Sequence, residues 1–282
     1  MTKFLMIAVL FACAQVPGFG QTSRTGGSAA AIKEETVLRP IAKTEQERDA
    51  FNLAYATNRG GAVAEQVADD FAAVYPDSAL RVYLYSRAMH VYQAENNAAR
   101  MLAMAEKVLS LNPDHCVALV LTATVLADEL APGDSDRTRK IEEINKTAHH
   151  AIETVGTGFV PPATASPEQA AVYRTTLQSM AYSALGIMRL KTGDDAGAEK
   201  DLSMAAVLTK IAPDPYIWYH LALAQDHRKK YAAALNSVEQ ALQLASANPE
   251  LQKLAEIEHD RLAGLAGQRG SRGATGMDMP PR

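Results

Sequence analysis

Histidine spacing would be the first sign of a metal or acid–base site, and in this chain the spacings do not suit one. Adjacent His149 and His150 leave a helix about 100° apart, and His220 and His227 lie two turns, roughly 10 Å, apart. Neither pair chelates an ion without outside ligands, so exposed or packed histidines are expected. Asp134-x-Asp136 opens like a calcium loop but lacks the required glycine and the closing glutamate, which leaves a solvated turn. Gly156-Thr157-Gly158 has no third glycine and no preceding strand, and H-E-x-x-H, G-x-S-x-G and P-loop patterns are absent from the sequence. Cys116 begins an apolar run with no Lys, Arg or Asn/His pair arranged to lower its pKa, so a structural thiol is expected. These readings predict no catalytic residue, no cofactor, no metal and no small-molecule substrate.

Binding chemistry remains. Tyr216, Tyr219, Leu223 and Asp226 share one helical face, as do Tyr83, Ser86, His90 and Gln93. Tyrosine offers a large contact area with a polar tip and little entropy loss, which suits peptide recognition. The sequence leaves open a second reading, in which Tyr83 and Tyr216 pack on a neighbouring repeat or a long loop.

The elements that must position these rows are helical hairpins. Between Pro215 and Asn248 two amphipathic patterns flank the polar turn Asp226–Lys230; Trp218, Leu221, Ala222 and Gln225 line the first, and Tyr231, Ala234, Val238 and Ala241 the second. Tyr182, Leu185, Gly186 and Arg189, followed by Ala198, Leu202 and Ala205, repeat that arrangement 36 residues earlier. Upstream, Phe51, Ala54 and Tyr55 pair with Ala64, Val67, Ala68 and Phe71, and Tyr85, Ala88, Met89 and Tyr92 pair with Met101, Ala105 and Val108. Thr44 with Glu47, and Ser166-Pro167 with Gln169, mark capped helix starts. The third unit is irregular: helix A is expected over Cys116–Ala127 and helix B from an Asp136 cap to Val155, with insertions near 128–135 and 156–166.

The W-x-x-L-A, Y-x-x-A and V-x-x-A spacing ending in Pro249, with the exit Leu109-Ser110-Leu111-Asn112-Pro113, resembles the tetratricopeptide repeat. The step from Pro76 to Pro113 is 37 residues, near the family's 34. The resemblance covers about 43–248. It implies an all-α fold, a right-handed superhelix of about five hairpins plus a C-terminal capping helix carrying Leu251, Leu254, Ala255, Ile257 and Leu262. It also implies that Gly186 is small because helix B of its own hairpin passes close by. A concave groove would bind a peptide or partner protein through Tyr83, His90, Gln93, Tyr216, Tyr219, Leu223 and Asp226. A clamp for a peptide carboxylate is disfavoured, since Asp49, Ser86, Val120, Ser183 and Tyr219 stand where Lys and Asn donors would be needed.

Residues 1–20 read as a secretory signal: Lys3, the apolar run from Phe4 to Ala14, then Pro17-Gly18-Phe19-Gly20. Cleavage after Gly20 is favoured over the earlier Ala12-Cys13-Ala14 site. Leu10-Phe11-Ala12-Cys13 also resembles a lipoprotein box, with Phe11 departing from the usual small residue, so a lipid anchor at Cys13 is an alternative. Residues 21–42 form a leader, 43–266 the helical array, and 267–282 a disordered tail. The formal net charge of −4 provides no broad positive field for nucleic acid. The expectation is a non-enzymatic interaction scaffold exported to the periplasm or cell envelope of a bacterium. A structural envelope lipoprotein is the first alternative, and an accessory domain of a hydrolase, with its site between Asp128 and Ser166, the second.

Overall fold

The computed structural model describes residues 41–57, 60–161, 165–211 and 213–274. The expected signal sequence, Cys13 and most of the expected leader lie outside the described residues. Among those residues there is no strand, and eleven α-helices follow in order: α1 (Glu45–Ala56), α2 (Gly61–Val74), α3 (Arg81–Ala94), α4 (Ala98–Leu111), α5 (Cys116–Glu129), α6 (Arg137–Gly158), α7 (Pro167–Thr192), α8 (Asp195–Leu208), α9 (Pro215–His227), α10 (Tyr231–Leu244) and α11 (Pro249–Ala274). They form two compact units, one comprising residues up to 118 with 154–174, the other 119–153 with 175 onward.

In the first unit the helix starts are set by short-range chemistry. Thr44 Oγ1 accepts from Glu47 N at 3.1 Å, and the Glu47 carboxylate reaches back to Lys43 N. Asn97 caps α4 after Asn96 turns the chain at φ 55°. At α7, Ser166 Oγ accepts from Gln169 N at 3.2 Å while Ser166 N donates to Gln169 Oε1 at 2.8 Å, the reciprocal box its sequence predicts. Apolar stripes then close the core: Phe51 meets Phe71, and Ala88, Met89, Met101, Met104, Ala105 and Val108 are fully buried.

Two polar rungs cross this packing. Tyr85 Oη donates to Asp69 at 2.8 Å, and Lys107 pairs with the same carboxylate at 2.7 Å while lying over the Tyr85 ring. Tyr92 Oη donates to Glu65 at 2.7 Å, and Arg100 pairs with that carboxylate over the Tyr92 ring. Burial, reinforced by Asp69, pushes the Tyr85 phenol up to about 12. The spacing of Glu65 to Asp69 on α2, with Tyr85 to Tyr92 on α3 and Arg100 to Lys107 on α4, places one rung above the other along the three helices.

In the second unit Leu202 of α8 lies so close to α7 that a Cβ on Gly186 would come within 2.5 Å of its Cγ. This is the close passage expected of Gly186. Ser179 Oγ ties the same helices by donating to the Ala205 carbonyl at 2.8 Å. Trp218 packs against the Ala198–Leu202, Ala205–Ile217 and Ala234–Val238–Ala241 clusters, joining α8, α9 and α10. Ala255 and Leu262 of α11 belong to the last of these clusters, so α11 covers the α9–α10 hairpin.

Several boundaries differ from expectation. Helix α5 continues through Glu129, α6 runs past Val155 to Gly158, and α11 passes the expected limit at 266 to reach Ala274. Once a helix is nucleated, each further residue adds a hydrogen bond, which carries α11 through the glycines that suggested a tail. Residues 275–282 lie outside the described part. The Asp134-x-Asp136 turn is closed internally, since Asp134 accepts from Ala131 N at 2.9 Å and pairs with Lys140 at 3.0 Å.

Candidate functional site

On α3 the predicted row sits beside the buried face without being part of it. Tyr83 is 36% exposed, with its ring edge-on to Phe51 at 6.3 Å. His90 Nδ1 lies 3.3 Å from Gln93 Oε1, so these two side chains are held together. Burial keeps the His90 imidazole below its ordinary value. His115, whose Nδ1 accepts from Ala118 N at 3.2 Å at the start of α5, is held at about 4 by burial, with His90 opposing its charge as well. Both rings are therefore neutral near pH 7.

The row on α9 is drawn into the packing of the helix that follows. Asn248 Nδ2 donates to the Tyr216 phenol oxygen at 2.6 Å. Tyr219 packs on the cluster that contains Ala255 and Leu262, and burial raises its phenol. Asp226, its side chain only 15% exposed, pairs with Arg261 of α11 at 2.6 Å. Arg261 also holds Glu258, and those two carboxylates raise the guanidinium above its ordinary value. Leu223 is half-buried. Three of the four residues thus have intramolecular partners, and the surface left to a ligand on α9 is narrower than the sequence pattern implies.

A second polar group in the same unit went unnoticed in the sequence. Lys191, at the end of α7, donates through Nζ to the Ala127 and Asp128 carbonyls at 2.8 and 2.7 Å, satisfying the last turn of α5. Arg137 Nη2 donates to the Lys191 carbonyl at 2.9 Å. Asp214 caps α9 by accepting from Tyr216 N at 2.9 Å. Burial raises the Asp214 carboxyl, and it pushes that of Asp128 to about 6, with Lys191 opposing the rise and Asp214 adding to it. His220, whose buried Nδ1 lacks a well-formed hydrogen bond, is held at about 4 by burial, with Lys191 contributing. One sequence signal could have found part of this group: Asp128 and Lys191 each fall nine residues after the packing positions Leu119 and Tyr182.

Cys116 is buried, with Sγ 3.5 Å from the Asp114 carbonyl and 3.7 Å from Thr154 Oγ1, and burial raises its thiol. The thiolate needed for nucleophilic chemistry is therefore disfavoured. No helix among the described residues is long and apolar enough to cross a membrane.

Consecutive hairpins, the close passage at Gly186 and the threefold packing of Trp218 are what the repeat motif requires. The fold is tetratricopeptide-like. No family model matches the chain, and no curated protein matches it. Among solved structures it is similar to a thermophilic TPR protein of Thermus thermophilus, with 14% identity and a TM-score of 0.46 over 75% of this chain and 98% of that one. It is also similar to the APC/C Cut9–Hcn1 hetero-tetramer, with 15% identity and a TM-score of 0.32 over 78% of this chain and 43% of that one.

Proposed function

We propose that this chain is a non-enzymatic scaffold of a bacterial cell envelope that holds a protein or peptide partner on the exposed flank of its first helices in each hairpin. The observation that supports this is found in each unit by itself: beside the packing face, Tyr83, His90 and Gln93 on α3 of the first unit remain wholly or partly exposed, as does Leu223 on α9 of the second, while the adjoining positions are buried. Side chains held on rigid helices lose little entropy on binding. Export rests on the signal-like residues 1–20.

The test is crosslinking pull-down from envelope fractions, comparing wild type with Tyr83→Ala/Leu223→Ala, whose helical content is checked by circular dichroism. Partners should be lost from the folded variant, and an unchanged partner set would refute the assignment of this face. Mass analysis of the mature N-terminus tests the address. A product starting near Gln21 fits a released scaffold, whereas a lipid-modified product starting at Cys13 fits the anchored form.

A further inference from the structure

We propose that α11 is a dimerisation element, pairing antiparallel with the α11 of a second copy of this chain through the face that carries Leu254, Ile257 and Leu265. This surface is separate from the flank assigned to a partner protein, and dimerisation does not depend on that reading.

α11 is longer than its capping role requires. It packs on the α9–α10 hairpin through Ala255 and Leu262, yet it has 26 residues against 14 in α10, about 39 Å against about 21 Å. The helical period sets Leu254, Ile257 and Leu265 on a face beside the line of Leu251, Ala255 and Leu262. Leu251, Ala255 and Leu262 are fully buried, whereas Leu254 is 49% exposed and Ile257 60%; Leu265 is half-buried. A helix that only capped the array would turn a polar face to water, as solubility demands of a terminal element. Gly264, Gly267, Gly270 and Gly273 each disfavour helix by about 1 kcal/mol relative to alanine, so the last third of α11 gains from a packing partner.

The charges of α11 match those of a second copy. Glu250, Glu256, Glu258 and Asp260 all precede Arg261, and Arg269 and Arg272 follow it with no further acidic residue before Ala274. This polarity suits the dipole of a single helix, and it also makes α11 complementary to itself run backwards. With Arg261 at the crossing point, Ile257 of one copy stands opposite Leu265 of the other, and the acidic position 250 opposite the basic position 272. A parallel pair would set like charges side by side, and a uniformly acidic or basic partner would match only one half of the helix. Arg261 itself is balanced by Asp226 and Glu258 of its own copy, so the crossing brings together no uncompensated charge.

Sedimentation equilibrium of the full chain at low salt, between about 5 and 200 μM, reads the association directly. A monomer–dimer equilibrium is expected, and Leu254→Asp/Ile257→Asp should weaken it at least tenfold while leaving the circular dichroism unchanged, since both side chains are exposed. Glu250→Arg should weaken it about threefold or more, because like charges then meet at both ends of the pair. Adding Arg272→Glu should restore it, which a mere disturbance of the helix start would not allow. A chain that stays monomeric throughout would overturn the proposal and leave this face to another occupant. A dimer indifferent to Leu254→Asp/Ile257→Asp would overturn it in favour of a different interface, and a charge swap that fails to restore association would overturn the antiparallel register. The pull-down that tests the partner surface is unaffected by any of these results.

Discussion

Burial opposes ionisation of Asp128, and that has a consequence for stability. Its carboxyl is raised from 3.8 to about 6 in the folded chain, so between those values the native state holds a proton that the unfolded state has lost. The folded chain is therefore destabilised by this group above about pH 6 and relieved as pH falls towards 4. Asp128→Asn should raise the urea midpoint at pH 7, with the gain shrinking at pH 5 and vanishing near pH 4. His220, held at about 4, titrates with the opposite sense, its contribution being lost as pH falls. It is common to both proteins, as are Lys191, Asp214 and Glu129, so the comparison isolates Asp128. A midpoint unmoved at pH 7 would show that the charge is compensated. Glycines give a second contrast at this scale. Gly186→Ala sets a methyl against Leu202 and should cost about 1–3 kcal/mol in chemical denaturation. Gly264→Ala in α11 meets nothing within 4 Å and should stabilise by roughly 0.5–1 kcal/mol.

Helices are delimited by chemistry that reaches only one turn, and this is why their starts were legible. Thr44 and Ser166 each accept a backbone N–H three residues on, and each precedes a helix whose apolar period is plain in the sequence; Asp194, which read only as part of a turn, caps α8 in the same way. Ser166→Ala should cost about 0.5–2 kcal/mol and raise amide exchange in the first turn of α7; unchanged exchange would mean that packing alone holds that end. Helix ends were less legible, because continuation past Val155 or through Gly264 breaks no local rule strongly enough to be read. The rungs of Glu65, Asp69, Tyr85, Tyr92, Arg100 and Lys107 were invisible for another reason. Each joins three helices, and no helix alone reveals which tyrosine will meet which carboxylate.

For the chain as a whole, repetition lets a helical array grow, and a final helix must cover its last apolar face. Leu251, Ala255 and Leu262 of α11 are fully buried. Deleting residues 249–282 should expose the Ala234, Val238 and Ala241 surface, lower the thermal midpoint and increase binding of a hydrophobic dye. A truncated chain as stable as the full one would show that α11 is dispensable. The same helix supplies Arg261 to Asp226, so the deletion should also free that carboxylate.

The sequence by itself determined that the chain is all helical, where most hairpins turn, which faces are apolar and that Gly186 must be small, since each follows from spacing within a few turns or within one repeat. Only the tertiary structure decided which polar groups find partners. Tyr216, Tyr219 and Asp226 look alike in pattern to Tyr83, Ser86 and Gln93, yet the first three are engaged by Asn248 and α11, whereas Tyr83 lies against Phe51 and Gln93 beside His90. The physical reason is range. Helical period and capping act between neighbours along the chain, whereas ion pairing and desolvation depend on separations in space that packing alone sets.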